Sequence, residues 1–473
     1  MNKIRISRRG FIGTMTGGAA LTLLGLERRA LADRNPGGNL ITDYVGRLCF
    51  NENPLGPSPA AIEAIRNQAE MAHRYSDWYA ESLTSALASK YDLPASNIIP
   101  GVGATEILRL CAMAFCSPGS NVVIPYPSYG QFDSDAQIYG SSVRYVDLDN
   151  EYRVDLQGIL DRVDSDTAAV CITNPNNPTA TAVDSASLAE FVHELPFHVT
   201  TVIDEAYSDY MPEYTSAVEL VRSGYNVVVV KTFSKVYGLA GARIGYAVGK
   251  SDRIGDMSRN RLTAMISRPS LEAAKAALDD NQHVNNTVEL ANQTKAYCFG
   301  EFDRLELQYI PSVASFFMVD VGDAEYVRAA LAAREIYVRT GWGMSSHIRV
   351  STGRMEEMID FIAALEEILS PLKSGDDLPK PTMTELFQAY PNPFNTSTQI
   401  RIYVPKAAQT SLEIFDVQGR SVKVLVDSVL GAGEYSFTWN GTNSAGRPVA
   451  SGTYFYRLRS ADDVLTRRMI MLK

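Results

Sequence analysis

The chain has 473 residues, 45% hydrophobic and 21% charged, which is room for more than one globular domain and far from the composition of a disordered chain. No uninterrupted apolar run reaches about 18 residues, so a permanent membrane span is not expected. The net charge of −10 is uneven: residues 1–32 hold six Lys/Arg against one Glu, and residues 388–473 hold ten Lys/Arg against six Asp/Glu. The acidity lies in the body between, which argues against nucleic acid as a partner.

The first residues form a segment of their own. Lys3, Arg5, Arg8 and Arg9 make a basic start, a mild apolar stretch runs from Phe11 to Leu26, and Ala30-Leu31-Ala32 offers a small-x-small cleavage site. Ser7-Arg8-Arg9-Gly10-Phe11-Ile12 resembles the twin-arginine export signal, so residues 1–32 are predicted to carry a folded protein out of the cytoplasm. The five cysteines, Cys49, Cys111, Cys116, Cys171 and Cys298, are odd in number and lack metal-ligand spacing. They read as packing thiols, and no metal site is expected.

Along the body, turn formers in Asn51-Glu52-Asn53-Pro54-Leu55-Gly56-Pro57-Ser58-Pro59 open a helix near Ala60, which is predicted to end at His73-Arg74-Tyr75. A second helix is predicted from Trp78 to Tyr91. The glycine-rich Gly101-Val102-Gly103-Ala104-Thr105-Glu106 leads into another, and its free backbone N–H groups suit a phosphate. Val122 to Ile124 is a strand followed by Tyr129, whose ring could stack on a flat ligand. Ala168 to Thr173 is a buried strand running into Asn174-Pro175-Asn176-Asn177-Pro178-Thr179, and Val199 to Ile203 is another, ending in Asp204-Glu205-Ala206-Tyr207. Four valines, Val227 to Val230, form a strand buried on both faces, and Lys235 sits on the turn after it. A lysine there loses solvation and becomes a candidate Schiff-base nucleophile, with Thr232, Ser234 and Arg243 as an anion cup. Each strand delivers a polar residue at its C-terminal end, the ligand side of an α/β sheet. A mostly parallel sheet with helices on both faces is therefore expected.

Seven motifs in this order carry a resemblance: NENPLGPSP from Asn51, RYSD from Arg74, GVGATE from Gly101, NPNNPT from Asn174, DEAYSDY from Asp204, KTFSKVYGLAGARIGY from Lys231 and IRVSTG from Ile348. Together they resemble the fold-type I pyridoxal-phosphate aminotransferases of class I/II, nearest to the histidinol-phosphate aminotransferase branch, over roughly residues 40–370. The resemblance implies that Lys235 attaches pyridoxal 5′-phosphate and later moves the substrate proton, and that Asp204 pairs with the pyridinium nitrogen. It implies that Asn177 and Tyr207 bond the phenolic oxygen and that Tyr129 stacks on the ring. Gly103, Ala104, Thr105, Thr232, Ser234 and Arg243 would hold the phosphate. Tyr75 would reach the phosphate of a neighbouring subunit, which implies a homodimer. Arg349 would grip the α-carboxylate of an amino acid or 2-oxo acid, with Arg339 and Asn53 as further substrate contacts. There are departures: Ala180 replaces a glycine, residues 259–269 differ from the family's usual stretch, Ser315 stands where asparagine is frequent, and the loop after Arg339 is short. The motifs leave open another pyridoxal-phosphate reaction, such as decarboxylation or β-elimination, or a catalytically dead surface-attached scaffold.

After Leu369 the pattern changes. Residues 370–387 are polar and proline-bearing, a linker. Beyond them period-two strands appear at Gln399 to Val404, Ser411 to Asp416, Tyr435 to Trp439 and Thr453 to Leu458, a β-sandwich of about six or seven strands. YPNPFN from Tyr390, FDVQGR from Phe415 and WNGTNSAGRPVASGTYFYRL from Trp439 resemble the Ig-like domain of flagellar hook-capping proteins and the sorting domains of type IX secretion. The predicted organisation is a signal peptide (1–32), an aminotransferase (33–369), a linker (370–387) and an Ig-like sorting or attachment domain (388–473). Within the second part, a large cofactor-binding domain is expected over about 76–250 and a small domain from 40–75 and 251–369. The partners implied are amino acid and 2-oxo acid substrates, a second copy of the chain and the export machinery, with the mature protein in the periplasm, on the cell surface or outside the cell.

Overall fold

The computed structural model describes residues 46–374 and, in the C-terminal part, 384–387, 389, 392, 394–395, 397–461 and 463–471. The expected signal peptide lies outside the described residues, as do residues 375–383 of the expected linker. The chain divides into two units, Met1–Ile368 and Leu369–Lys473.

In the first unit, strand β1 (Gly46–Arg47) precedes helices α1 (Pro59–Gln68) and α2 (Asp77–Tyr91). Ser58 caps α1 by accepting from the Ala61 N–H, and Pro59 sits at the first helical position, where its missing N–H costs nothing. The helix ends at Gln68, short of the expected His73–Tyr75, which follow a single 3₁₀ turn at Ala69–Met71. The large sheet then forms: β2 (Ile98–Gly101), α3 (Gly103–Phe115), β3 (Asn121–Tyr126), α4 (Gln131–Ile138), β4 (Ser142–Asp147), α5 (Leu156–Leu160), β5 (Thr167–Thr173), α6 (Ser185–Glu194), β6 (Thr200–Asp204), α7 (Val218–Arg222), β7 (Val227–Thr232) and β8 (Gly245–Gly249). Its strand order is β2-β8-β7-β6-β5-β3-β4; β8 runs antiparallel to both neighbours and the other pairs are parallel.

The sheet is mostly parallel because apolar strands alternate with helices that cover both faces, as expected. Alternate β7 valines separate into two buried clusters, with Val227 and Val229 on one side and Val228 and Val230 on the other. Register matters most at one edge: Thr173 pairs with Asp204, and Asp204 with Val230. The turns leaving β5, β6 and β7 therefore open side by side.

The rest of this unit comprises α8 (Ser251–Ser258), α9 (Arg268–Leu278), the long α10 (Asn281–Arg304) and a second sheet. That sheet has the order β12-β13-β10-β9, from β9 (Tyr309–Ile310), β10 (Phe316–Asp320), β12 (Arg339–Gly341) and β13 (Met344–Ser351). Helix α11 (Ala324–Ala332) and β11 (Ile336–Tyr337), which pairs with β1, lie between β10 and β12. Helix α12 (Met355–Ser374) continues past Leu369 into the stretch expected as linker, with Ile368 and Leu369 buried near its end.

The second unit has seven described strands in two antiparallel sheets. One is β14-β15-β18, from β14 (Glu385–Leu386), β15 (Thr398–Val404) and β18 (Gly433–Trp439). The other is β17-β16-β19-β20, from β16 (Ala408–Phe415), β17 (Ser421–Leu430), β19 (Gly452–Ser460) and β20 (Asp463–Met471). β14 falls inside the expected linker, where it pairs with Ile402 and Tyr403. Trp439 fills the core between Phe394 and Tyr454, edge-on to both at 5.4 and 5.0 Å between centroids.

Candidate active site

The expected residues gather where β5, β6 and β7 end. Asn177 follows β5, Asp204 closes β6, Tyr207 lies three residues on, Thr232 closes β7, and Ser234 and Lys235 occupy its exit turn. The strand ends are stitched by main-chain bonds, Asn174 N to Asp204 O at 2.9 Å and Glu205 N to Val230 O at 2.8 Å. The Lys235 turn closes through Gly238 N to Lys235 O. Gly238 has φ +69°, and a Cβ there would stand 2.0 Å from Gly56 O, so only glycine lets the NENPLGPSP loop rest on this turn.

Lys235 Nζ donates to the main-chain oxygen of Phe50 at 3.0 Å and lies 5.6 Å from the centre of the Tyr207 ring. Burial, then the Arg349 guanidinium, brings its amine down to about 8, against the pull of Glu52 and Asp204. An amine so placed is neutral often enough near pH 8 to act as a nucleophile and as a proton carrier. Burial raises the Asp204 carboxyl to about 6, with the Ala206 N–H and the Lys235 charge pulling the other way. This carboxylate is costly without a cation and is suited to receive one.

A phosphate-sized cradle lies at the start of α3. No side chain of Val102 caps that helix, which leaves the N–H groups of its first turn as donors. Gly103 has φ +75°, and a Cβ on it would come within 2.6 Å of Arg243 Nη2. The guanidinium thus lies directly over the turn that Gly103, Ala104 and Thr105 begin. Arg243 Nη1 donates to Ala240 O at 2.9 Å, while Thr232 Oγ1 bonds Ser234 Oγ at 2.9 Å. Tyr129 is hydrogen-bonded to Thr105, and burial raises its phenol.

The wall facing Lys235 comes from the second sheet. Arg349, on β13, is 3% exposed; its Nη1 donates to Asn177 Oδ1 at 2.6 Å and its Nη2 to Cys49 O at 2.8 Å. Burial lowers this guanidinium to about 10, with the neighbouring Arg339 charge adding to the effect and Tyr207 opposing it. Its buried Nε has no protein partner among the described residues. Arg339 on β12 stands directly opposite Arg349, and the Trp342 indole lies against both, 5.9 Å from Arg339 Cζ and 5.0 Å from Arg349 Cζ.

One expected contact falls elsewhere. Asn53 is buried, but its Nδ2 donates to Val236 O and Thr287 Oγ1 and its Oδ1 accepts from Leu55 N. Its carboxamide holds the loop in place, which corrects its reading as a substrate contact. Tyr75 is 88% exposed and free to meet something outside this chain. The neighbour that does turn inward is Asn51, whose Nδ2 donates to the Tyr207 hydroxyl at 3.0 Å. Asn51 opens the NENP motif, so the signal was present, but sequence alone does not say which asparagine faces in.

Pyridoxal phosphate fits these residues. The α3 turn with Arg243, Thr232 and Ser234 would hold its phosphate, the buried Asp204 its protonated ring nitrogen, Asn177 and Tyr207 its phenolic oxygen, Tyr129 its ring face, and Lys235 its aldehyde carbon. When bound, the cofactor supplies an electron sink for charge leaving the substrate Cα. The protein's own part would be to orient the substrate through Arg349 and to move the proton with Lys235.

The family model for aminotransferases of class I and II matches residues 45–365, and that of the FlgD Ig-like domain matches residues 392–463. Histidinol-phosphate aminotransferase of Moorella thermoacetica is 37% identical over 330 residues, 68% of this chain and 85% of that protein. The enzyme of the same name from Caldicellulosiruptor saccharolyticus is 36% identical over 332 residues, 69% and 92% of the two chains. The crystal structure of histidinol-phosphate aminotransferase from Sinorhizobium meliloti in complex with pyridoxal-5′-phosphate matches with a TM-score of 0.66 at 28% identity, covering 78% of this chain and 99% of that one. With two thirds of its length matched and the cofactor's residues assembled, the chain belongs to the class I and II aminotransferases and is a pyridoxal 5′-phosphate enzyme.

Proposed function

We propose that the protein is an exported aminotransferase that moves an amino group between an amino acid, or an amino-acid-like amine, and a 2-oxo acid, with a preference for substrates bearing a second acidic group. The observation that carries the preference is the Arg339–Arg349 pair. Directly opposed side chains on neighbouring antiparallel strands share a face, and like charges placed so repel. An anion between them relieves that repulsion. One guanidinium takes the α-carboxylate and the other a side-chain carboxylate or phosphate, with the Trp342 indole as a flat wall. The relatives named for histidinol phosphate act on a phosphate-bearing compound, which agrees with this reading.

Export rests on the twin arginines of the N-terminal stretch, and a role for the C-terminal sandwich in sorting or attachment rests on its FlgD-like pattern. Activity in a dimer rests on Tyr75, an exposed aromatic side chain in the RYSD motif.

A screen of amino donors and 2-oxo acid acceptors with purified protein tests the substrate reading. Acidic acceptors should lead, and Arg339→Ala should abolish their lead over neutral ones while leaving neutral acceptors nearly unchanged. Neutral acceptors leading in the wild type would overturn the preference. Fractionation of cells carrying Arg8→Lys with Arg9→Lys tests export, and a variant that still leaves the cytoplasm contradicts it.

A further inference from the structure

Asn51 and Ser351 are both buried, and neither has an assigned part in the chemistry. Asn51 has φ 53°, the left-handed region that asparagine tolerates better than most residues. Its N–H donates to Ser351 Oγ at 2.8 Å, and Ser351 Oγ donates to Asn51 Oδ1 at 2.9 Å. The serine hydroxyl thus accepts from the main chain and gives its single proton to the carboxamide oxygen. That small ring fixes the amide: Oδ1 is held by Ser351, and Nδ2 faces Tyr207, donating to its hydroxyl at 3.0 Å. An amide nitrogen donates and does not accept, and a phenol has one proton. Tyr207 must therefore accept from Asn51 and send its own proton elsewhere. The Tyr207 ring is pinned edge-on to Phe316, with centroids 4.8 Å apart. Asn177 is set in the same sense, since Arg349 holds its Oδ1 and leaves Nδ2 as the end that can donate.

We propose that Ser351 and Asn51 form a directional relay that fixes the Tyr207 hydroxyl as a donor toward the cofactor's anionic oxygen, which makes Asn51 a positioning residue for amino transfer. The relay rests on the pyridoxal-phosphate site described above and adds a reason for the first asparagine of the NENP motif. A donor aimed at an anionic oxygen favours the deprotonated form of the bound group. Reversing or loosening the relay should move the pH midpoint of the protein-bound cofactor's visible absorbance upward.

The test is a pH titration of that absorbance in cofactor-loaded wild type, Asn51→Asp and Asn51→Gly, each also in a Tyr207→Phe background. An aspartate carboxylate only accepts, so it draws the Tyr207 proton to itself; the midpoint should rise by about one pH unit or more, the worth of one hydrogen bond to a charged group. Glycine suits the left-handed backbone and adds no charge, so Asn51→Gly should raise the midpoint by a smaller amount, and by nothing further once Tyr207 is phenylalanine. Unchanged midpoints in both loaded variants overturn the proposal, as does an Asn51→Gly shift that persists in the Tyr207→Phe background. Variants that lose the fold, or that fold but take up no cofactor while the wild type does, show Asn51 to be structural and overturn it too. A wild type that takes up no cofactor would sink the site assignment instead, a separate failure.

Discussion

In the aminotransferase unit Asp204, Glu205, Lys231, Lys295 and Arg349 are buried charged side chains, whereas the buried polar residues described in the sandwich are Thr384, Thr398, Thr410 and Ser460. The sandwich keeps charge outside, in pairs such as Arg420 with Asp416 and Arg401 with Glu434. Exposed pairs of this kind contribute little, and the fold rests on the apolar layer around Trp439. The same contrast recurs within a few residues of the first unit. Lys231 points to one side of β7, where its ammonium meets Glu205 Oε2 at 3.0 Å and Ser208 Oγ at 2.8 Å. Burial alone would lower it, yet Asp209 and Glu205 hold it well above the ordinary lysine value. Lys235 donates to the Phe50 main-chain oxygen and is held down at about 8. Lys231 is buried and compensated, Lys235 is half-buried and lacks a carboxylate partner among the described residues, and Lys295, buried on α10 and donating to the Ser312 main-chain oxygen, is likewise held down at about 8 by burial. A missing counter-charge is therefore not enough to mark this chain's chemistry, and Lys235 is singled out by its place on the exit turn of β7 beside the Tyr207 ring.

The widest break in that comparison is Lys235→Ala. Removing the amine should lower transamination by at least about a thousandfold, since covalent attachment and proton transfer go together. Borohydride treatment of the loaded wild type should fix the cofactor on the peptide bearing Lys235 and nowhere on the variant. Labelling at Lys231 would reverse the assignment of the two lysines.

Arg349→Ala comes next, with an expected loss of roughly 2–5 kcal/mol in kcat/KM for amino acid substrates, much more than the change in cofactor affinity. Because Arg349 also anchors Asn177 and the Cys49 carbonyl, Arg349→Lys should recover only part of this, as a point charge replaces a planar fork. Steady-state kinetics beside cofactor titration separates the two effects, and equal losses in both would contradict the role.

Asp204→Asn sharpens the contrast by setting stability against function. The Asp204 carboxyl ionises at 3.8 in the unfolded reference and at about 6 in the folded protein, so the native state binds the extra proton. Stability of the cofactor-free protein should therefore be unburdened below about pH 4, fall as pH rises, and carry the full cost above about pH 6. Two pH units correspond to about 3 kcal/mol. Denaturant unfolding of the cofactor-free variant should show it more stable than wild type at pH 8 and equal at pH 4, while its activity falls. A variant less stable at pH 8 would mean that the buried carboxylate has found its own compensation.

The smallest effect is expected from the sandwich. Because α12 runs to Ser374, a stop codon after that residue keeps the helix whole, and activity per site should stay within about twofold of wild type. A folded but inactive truncation would make the sandwich part of the catalytic unit.

Much of this site could be read from the sequence because parallel strands buried on both faces are apolar runs, and their ends announce themselves with polar residues. Val227 to Val230 followed by Lys235, and Val199 to Ile203 followed by Asp204, are such places. Asn51 and Asn53 could not be ranked, since both are asparagines in one turn-rich motif. What separates them is that Asn51 adopts a left-handed φ and bonds Tyr207, while the Asn53 carboxamide is consumed by Val236, Thr287 and Leu55. The polar, proline-bearing stretch after Leu369 read as linker, yet buried Ile368 and Leu369 accompany a helix that runs through Ser374. In the sandwich, β17 and β20 escaped the period-two reading. No residue of β17 is fully buried and its pairing with β16 is bulged, and β20 shows buried alternation only at Met469 and Met471, after Arg467 and Arg468.

The central claim, that the uncompensated Lys235 serves amino transfer, is tested most directly by following a ¹⁵N label. The cofactor-loaded protein is given a ¹⁵N-labelled amino donor and an unlabelled 2-oxo acid, and the products are identified by mass. The account predicts ¹⁵N in the new amino acid, one equivalent for each donor converted to its 2-oxo acid. Label released as free ammonia, or a donor that loses carbon dioxide, would contradict it.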